Sequence, residues 1–240
     1  MDTPQPESAD RSQLQGQWLQ AGVISVLGAT AADFLQGYVT CDTSRLEPGL
    51  GLPMAICNLK GRVVASGWLL ANADGIDVLV HTSLVEHVRA FLKPYVTFSK
   101  CTFATDQDKT VTVNSAQASI ELAPDLTVQV DDSAQNLEDC SEPVNAYLID
   151  MGFAFVSKPV SEQFLPQVLN LHNQGAVDFD KGCYLGQEIV ARAQFRGAVK
   201  RHLINFNDPA LPEVGDAWGD SGTVIAIDAK GHGLASVKAG

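Results

Sequence analysis

The spacing of apolar residues changes period several times along the chain, and each change marks an element. Residues 22–27, GVISVL, are a short apolar run that predicts a strand. The following stretch, GATAADFLQGYV, puts Phe34, Leu35 and Tyr38 on one helical face, with Thr30 placed to cap it. Residues 51–81 alternate apolar runs with Lys60-Gly61 and Asp74-Gly75, which predicts three strands joined by two turns. In SLVEHVRAFLKPYV, Leu84, Val88 and Leu92 share a face, so the segment is an amphipathic helix whose end is marked by Pro94. This order predicts an α+β layer, with helices on one face of an antiparallel sheet.

Residues 101–148 hold two strand-like pieces, KTVTVNS and LTVQVDD, and a polar, acidic link to Cys140. AYLIDMGFAFV is a further apolar segment, and residues 161–183 read as mostly irregular around Pro166 and Gly175. From Tyr184 to Phe195 the spacing suits a short helix, and RHLINFN, GTVIAIDA and GLASVKA predict a small β module after Lys200. Internal repeats and low-complexity segments are absent from the sequence.

Composition narrows the picture. Hydrophobic residues make up 45% and charged residues 18% of 240, which is globular. The N-terminal MDTPQPESADRSQ is polar and acidic, with neither an apolar secretion core nor an Arg-rich transit character, so residues 1–17 are read as a flexible tail. No apolar run approaches the roughly 18 residues of a membrane span. These features predict a cytoplasmic chain with reduced thiols. A net charge of −12 argues against broad binding to nucleic acid. One segment runs the other way: Lys181, Arg192, Arg196, Lys200 and Arg201 are opposed only by Glu188. That is either a solvated face or a seat for a small anion. The five cysteines (Cys41, Cys57, Cys101, Cys140, Cys183) form no CxxC, and the histidines form no HExxH, so no sequence-local metal site is expected.

Cys183 carries the most chemistry. It lies in KGCYLGQEIVAR where a helix is predicted to begin. A helix N-terminus favours a thiolate, and Lys181 would push the same way; the alternative is a buried, inert cysteine. Gly182 and Gly186 would let the backbone approach something closely, while Gln187 and Glu188 also suit the ordinary polarity of a first helical turn. Asp150 sits inside an apolar run. Such a carboxylate is either hydrogen-bonded to a donor pair or turned to water at an edge.

KGCYLGQE resembles the Lys-Gly-Cys-aromatic-x-Gly-Gln-Glu signature of the YgfZ family, folate-binding relatives of the glycine-cleavage aminomethyltransferase (GcvT) that are linked to iron–sulfur cluster assembly and tRNA modification. FLQGYVTCDTSRLEPG is similar to the family's N-terminal helix and Thr-x-Asp loop, LKGRVVASGWLL to its hairpin, and FLPQVLNL, VARAQFRGAVKR and GTVIA also fit. The resemblance implies a ring of α+β modules around a central folate pocket: residues 18–199, including a shortened middle module at 101–148, closed by a short C-terminal β-barrel at 200–240. It implies tetrahydrofolate or a one-carbon-substituted folate as ligand, and iron–sulfur enzymes or assembly proteins as partners. No direct nucleic-acid contact and no membrane are expected, and the chain is expected to be a monomer. Cys183 would be the working thiol. Asp150, in IDMG, stands where the transferases carry a pterin-gripping glutamate. Lys181, Gly182, Tyr184, Gly186, Gln187, Glu188 and Arg192 complete the expected folate-binding set, and the positive segment could favour folate's anionic tail. One departure bears on activity. Where the transferases have an Asp pair in the hairpin, this chain has Gly61-Arg62-Val63-Val64-Ala65-Ser66. An accessory role in iron–sulfur assembly or repair is therefore expected before a one-carbon transferase or a scaffold without folate.

Overall fold

A computed structural model describes residues 14–104, 109–117, 119–132, 136–197 and 199–239. Three antiparallel sheets organise it. The first is built from β2 (Ala21–Leu27), β3 (Leu52–Cys57), β4 (Val63–Asn72), β5 (Gly75–His81) and β6 (Thr102–Phe103), in the order β3-β4-β5-β2-β6. β4 is buried on both faces over its first eight residues, which is why its sequence is almost uninterruptedly apolar rather than alternating. Helix α1 (Ala31–Gln36) and helix α2 (Val85–Val96) pack on this sheet, α2 through Val88, Leu92 and Val96.

The second sheet takes β1 (Gly16–Gln17), β7 (Thr110–Val113), β8 (Ile120–Ala123) and β9 (Leu126–Asp131), in the order β1-β7-β9-β8. Helix α3 (Ser141–Asp150) follows, then a largely irregular stretch, then helix α4 (Gln187–Phe195). The third sheet holds β10 (Arg201–Asn207), β11 (Ala217–Trp218), β12 (Gly222–Ile227) and β13 (His232–Lys238), in the order β10-β13-β12-β11.

These parts join into a ring. β4 holds residues 161–164: Val63 N donates to Phe164 O at 2.8 Å, and Glu162 N donates to Val63 O at 2.7 Å. The third sheet lies on that segment, with the Arg201 guanidinium over the Phe164 ring. It also packs on α3, where Asn145 donates to Ile227 O at 2.8 Å. Tyr147 of α3 donates through its hydroxyl to Pro124 O, beside the second sheet. Trp18, Trp68, Phe153 and Phe155 fill the meeting point, with Trp68 stacked on Phe153 at 4.4 Å.

Several expectations change. Residues 1–13 of the expected tail lie outside the described residues, but Leu14 is buried and Gly16–Gln17 pair with β7, so the tail does not extend to residue 17. Pro94 does not end α2, which runs to Val96; the proline has no N–H to give the carbonyl four residues back, and the helix closes two residues later. Thr30 precedes α1 without a side-chain cap, and its hydroxyl lies 3.3 Å from the Cys101 sulfur. α3 and β8 were not expected at all. The start of α3 has no bond from its N-cap side chain, and its end is marked only by Gly152, which takes φ +69° while Phe153 N donates back to Leu148 O.

The first two sheets are tied by a buried ion pair. Lys109 Nζ, just before β7, lies 3.0 Å from both oxygens of Asp77 on β5, and Ser25 donates to Asp77 at 2.5 Å. Removing one partner leaves a charge in a dry site. Lys109→Met is expected to lower stability by about 3–5 kcal/mol in urea unfolding. Adding Asp77→Asn should recover part of that loss. Equal stability of wild type and Lys109→Met would show that the pair is solvated.

Candidate functional site

The segment around Cys183 is held by two others that are far away in sequence. The first is the loop after α1. A six-residue helix leaves its last carbonyls without intrahelical partners. Lys181 supplies one of them, and two carbonyls of the loop beyond, from across the chain: its Nζ donates to Gln36 O at 2.8 Å, Val39 O at 2.7 Å and Cys41 O at 2.7 Å. Leu185 N adds a bond to Gly37 O at 2.9 Å. Within the same loop, the Thr40 hydroxyl donates to Ala176 O at 2.5 Å and accepts from Ala55 N at 2.9 Å. The Asp42 carboxylate accepts from Ser44 N and Gln36 Nε2, and the bond from Ser44 holds its carboxyl below the usual range.

The second is the tip of the β3–β4 hairpin. Gly186, the residue before α4, has φ +82°, and a Cβ there would lie 2.3 Å from Asn58 O. Gly61, at φ +67°, faces α4 less tightly, where a Cβ would lie 3.0 Å from Ile189 and 3.3 Å from Val190. The hairpin tip is fixed in turn by Glu162, which accepts from Asn58 Nδ2 at 2.8 Å and lies 3.0 Å from His87 Nε2. The hydrogen bond from Asn58 keeps the Glu162 carboxyl below its ordinary value.

This geometry sorts the expected residues. Cys183 is exposed, whereas Cys41, Cys57, Cys101 and Cys140 are buried, and all five are free thiols. Burial pushes the thiols of Cys41, Cys57 and Cys140 up to about 12, so they remain protonated and inert. Cys183 does not stand in the first turn of a helix: Tyr184, Leu185 and Gly186 separate it from α4. Nor does Lys181 serve it. The Lys181 residue is 7% exposed, its ammonium is committed to the α1 loop, and the charges that bear on it are those of Asp42 and Asp178. Burial lowers its pKa to about 8.

Tyr184 is buried, with Lys181 Nζ 5.2 Å from its ring centre, and burial raises its hydroxyl. Gly186 does permit a close approach, to the protein's own hairpin. Gly182 does not: a Cβ there would meet nothing within 4 Å. Gln187 is half-buried, and Glu188 and Arg192 are exposed on α4. Asp150 closes α3 and is exposed. The turn after it is tied to the stretch leading into the Lys181 loop by Gln174 Nε2, which donates to Met151 O at 2.8 Å. The positive segment is not one seat. Lys181 is turned inward, and Arg201 bonds to Ser236 and Ser221 O within the third sheet. Arg192, Arg196 and Lys200 face out.

Two further features were not expected. Residues 63–66 of the hairpin are buried, and the Ser66 hydroxyl is engaged: it donates to Ala154 O at 2.6 Å and accepts from Val156 N at 2.9 Å. Trp68 Nε1 is buried without a partner among the described residues. Nothing in the local sequence signals either, because both depend on what residues 153–156 place against β4. Among the described residues, no group of His, Cys, Asp or Glu could hold a metal ion, and no helix is long and apolar enough to cross a membrane.

Comparison with known proteins gives two relationships. The chain is 32% identical over 251 aligned positions to the tRNA-modifying protein YgfZ of Escherichia coli O157:H7 (strain EC4115 / EHEC), covering 84% of this chain and 77% of that one. The YgfZ protein of E. coli strain SMS-3-5 matches to the same extent. In three dimensions, the glycine cleavage system aminomethyltransferase T of Bartonella henselae superposes with a TM-score of 0.64 over 95% of this chain and 80% of the other, at 10% sequence identity, which establishes a shared fold. No family model matches the chain.

Two predictions test the clasp. Gly186→Ala should destabilise by at least about 1–3 kcal/mol, because it adds a side chain at positive φ against a carbonyl. Gly182→Ala should be close to neutral, and equal melting temperatures for the two variants would refute the assignment. The second prediction concerns protons. The folded pKa of Lys181 lies below the unfolded value of 10.5, so between about pH 8 and 10.5 the unfolded chain binds the extra proton. Folding at pH 9 should release that proton, and this group's contribution to stability should rise with pH across the window. Below pH 8 both states are protonated and the contribution is flat. Lys181→Met should abolish the proton release, measured by calorimetry in buffers of different ionisation enthalpy.

Proposed function

The chain belongs to the YgfZ family, and from that premise we propose that it is a folate-binding accessory protein for iron–sulfur cluster assembly or repair, with Cys183 as its working thiol. The observation that carries the reading is the selective exposure of Cys183 on a loop held by Lys181 and Gly186, while four other thiols are buried. A rigid loop presents the sulfur without the entropy cost of ordering it at each encounter. The tRNA-modifying name of the relatives fits this reading if the clients include iron–sulfur enzymes that act on tRNA.

The shared fold and the family membership support a folate as the ligand. Asp150 offers an exposed carboxylate able to accept two hydrogen bonds from the amino and ring N–H groups of a pterin edge. Phe153, three residues later, is buried against Trp68 and supports the turn after Asp150 from beneath. A bound reduced folate would supply one-carbon or reducing chemistry. The protein's part would be to orient the pterin through Asp150 and to hold the thiol in reach of a client. Lys181 and Gly186 act here as positioning residues.

A one-carbon transferase is the weaker reading. The hairpin positions where transferases carry carboxylates are Arg62, Val63, Val64, Ala65 and Ser66, and residues 63–66 are buried. Loss of a charge-stabilising partner commonly costs on the order of 10² in rate.

Calorimetric titration with tetrahydrofolate, wild type beside Asp150→Ala, tests the ligand. Saturable binding that weakens at least about tenfold in the variant is expected, since a carboxylate hydrogen bond contributes about 1.5–3 kcal/mol. No binding by the wild type would leave a scaffold without folate. Complementation of a deletion strain by Cys183→Ala, read as activity of an iron–sulfur enzyme, tests the thiol. Full restoration would remove Cys183 from the mechanism.

A further inference from the structure

The exposed side of α4 carries two large apolar residues, Ile189 and Phe195, among Glu188, Arg192 and Gln194. Ile189 and Arg192, and Arg192 and Phe195, are i, i+3 neighbours on α4, and Arg196 caps its C-terminal end. Phe195 is 70% exposed even though its ring meets Phe179 edge-on at 5.6 Å. Ile189 is 38% exposed and touches the hairpin glycine Gly61, which brings the hairpin tip, with Leu59 at 74% exposure and Lys60 beside it, onto the same surface. The site loop with Cys183 leads directly into this helix.

We propose that the α4–hairpin face, built from Leu59, Lys60, Ile189, Arg192, Phe195 and Arg196, is the docking surface for an acidic, amphipathic helical segment of a protein partner. Large apolar side chains ringed by cations form the pattern of an interface core with a charged rim. Charge decides the kind of partner. The chain carries −12 overall, yet on this face Lys60, Arg192 and Arg196 are opposed on α4 by Glu188 alone. An acidic segment is attracted here and repelled elsewhere, which gives both rate and register. The aliphatic Leu59 and Ile189 suit a protein segment, while Phe195 and the two arginines could also stack bases, which the RNA arm of the test reads. The proposal rests on the reading of Cys183 as the working thiol, because the face would bring a client's segment to that loop.

The test uses the full chain and defined probes. A fluorescent 18-residue helical peptide with a leucine stripe flanked by glutamates is compared with the same peptide carrying lysines, and with a 20-nucleotide single-stranded RNA. Anisotropy is read at low and physiological salt. The glutamate peptide should bind, more tightly at low salt, and the lysine peptide should not. Arg192→Glu/Arg196→Glu and, separately, Leu59→Ser/Phe195→Ser should each weaken binding about tenfold or more. Arg192→Gln/Arg196→Gln serves as a milder variant, with circular dichroism confirming that each chain folds. Unchanged binding in folded variants, equal binding of both peptides, or tighter binding of the RNA through the same arginines would overturn the proposal. Cys183→Ser should leave peptide binding intact. Docking that persists while Cys183→Ala complements fully would refute the thiol reading alone, and lost docking with a defective Cys183→Ala would refute the docking surface alone.

Discussion

Three hydrogen bonds from one buried ammonium set the arrangement of the site. The Lys181 amine gives up hydration to enter a space that is 7% exposed, and it does so because Gln36, Val39 and Cys41 present carbonyls with no other use. Charged donors make the stronger class of hydrogen bond, and they are needed to offset the loss of water. Yet burial still dominates the balance and lowers the amine to about 8. The contact joins residue 181 to a loop more than a hundred residues earlier. With Gly186 seated on Asn58 O, the intervening Gly182-Cys183-Tyr184-Leu185 is pinned at both ends. The exposure of Cys183 is thus a consequence of what its neighbours bury.

At the hairpin, side chains that follow the tip serve the core. In β4, Val63, Val64 and Ala65 are core residues, and Ser66 bonds the chain that follows α3. That position now joins parts of the ring through a neutral hydroxyl, where a carboxylate would need a counter-charge or a bound cationic group to remain buried. The same economy governs the basic residues. Two of the five in the positive segment, Lys181 and Arg201, satisfy backbone carbonyls inside the fold, and the others reach solvent beside exposed apolar side chains. A cluster that looks single in one dimension therefore serves structure on one side of the loop and surface on the other.

Much of the fold was legible locally. The hairpins at Lys60-Gly61 and Asp74-Gly75 and the three C-terminal strands announce themselves by turn residues and by runs of β-branched and aliphatic side chains. α3 did not, because its N-cap side chain makes no bond and the glycine that ends it, Gly152 at φ +69°, lies inside the apolar Met151–Val156 stretch. The two-residue strands β1 and β6 are too short to carry a period, and exist because an edge was available to pair with them. At the site, KGCYLGQE was conspicuous as a motif, but its parts could not be sorted: Gly182 and Gly186 look equivalent until the positive φ and the Asn58 carbonyl single out the second.

The sequence by itself determined the class of the fold, the family, the identity of the signature thiol and the absence of carboxylates from residues 61–66, because each is a matter of residue type, order or short-range spacing. Tertiary structure alone decided which cysteine is exposed, that Lys181 faces inward, that Asp150 ends a helix in solvent, and that the hairpin tip and α4 share one surface. Those outcomes are set by burial and by hydrogen bonds between segments far apart in the chain, and a pattern read along the chain contains no term for either.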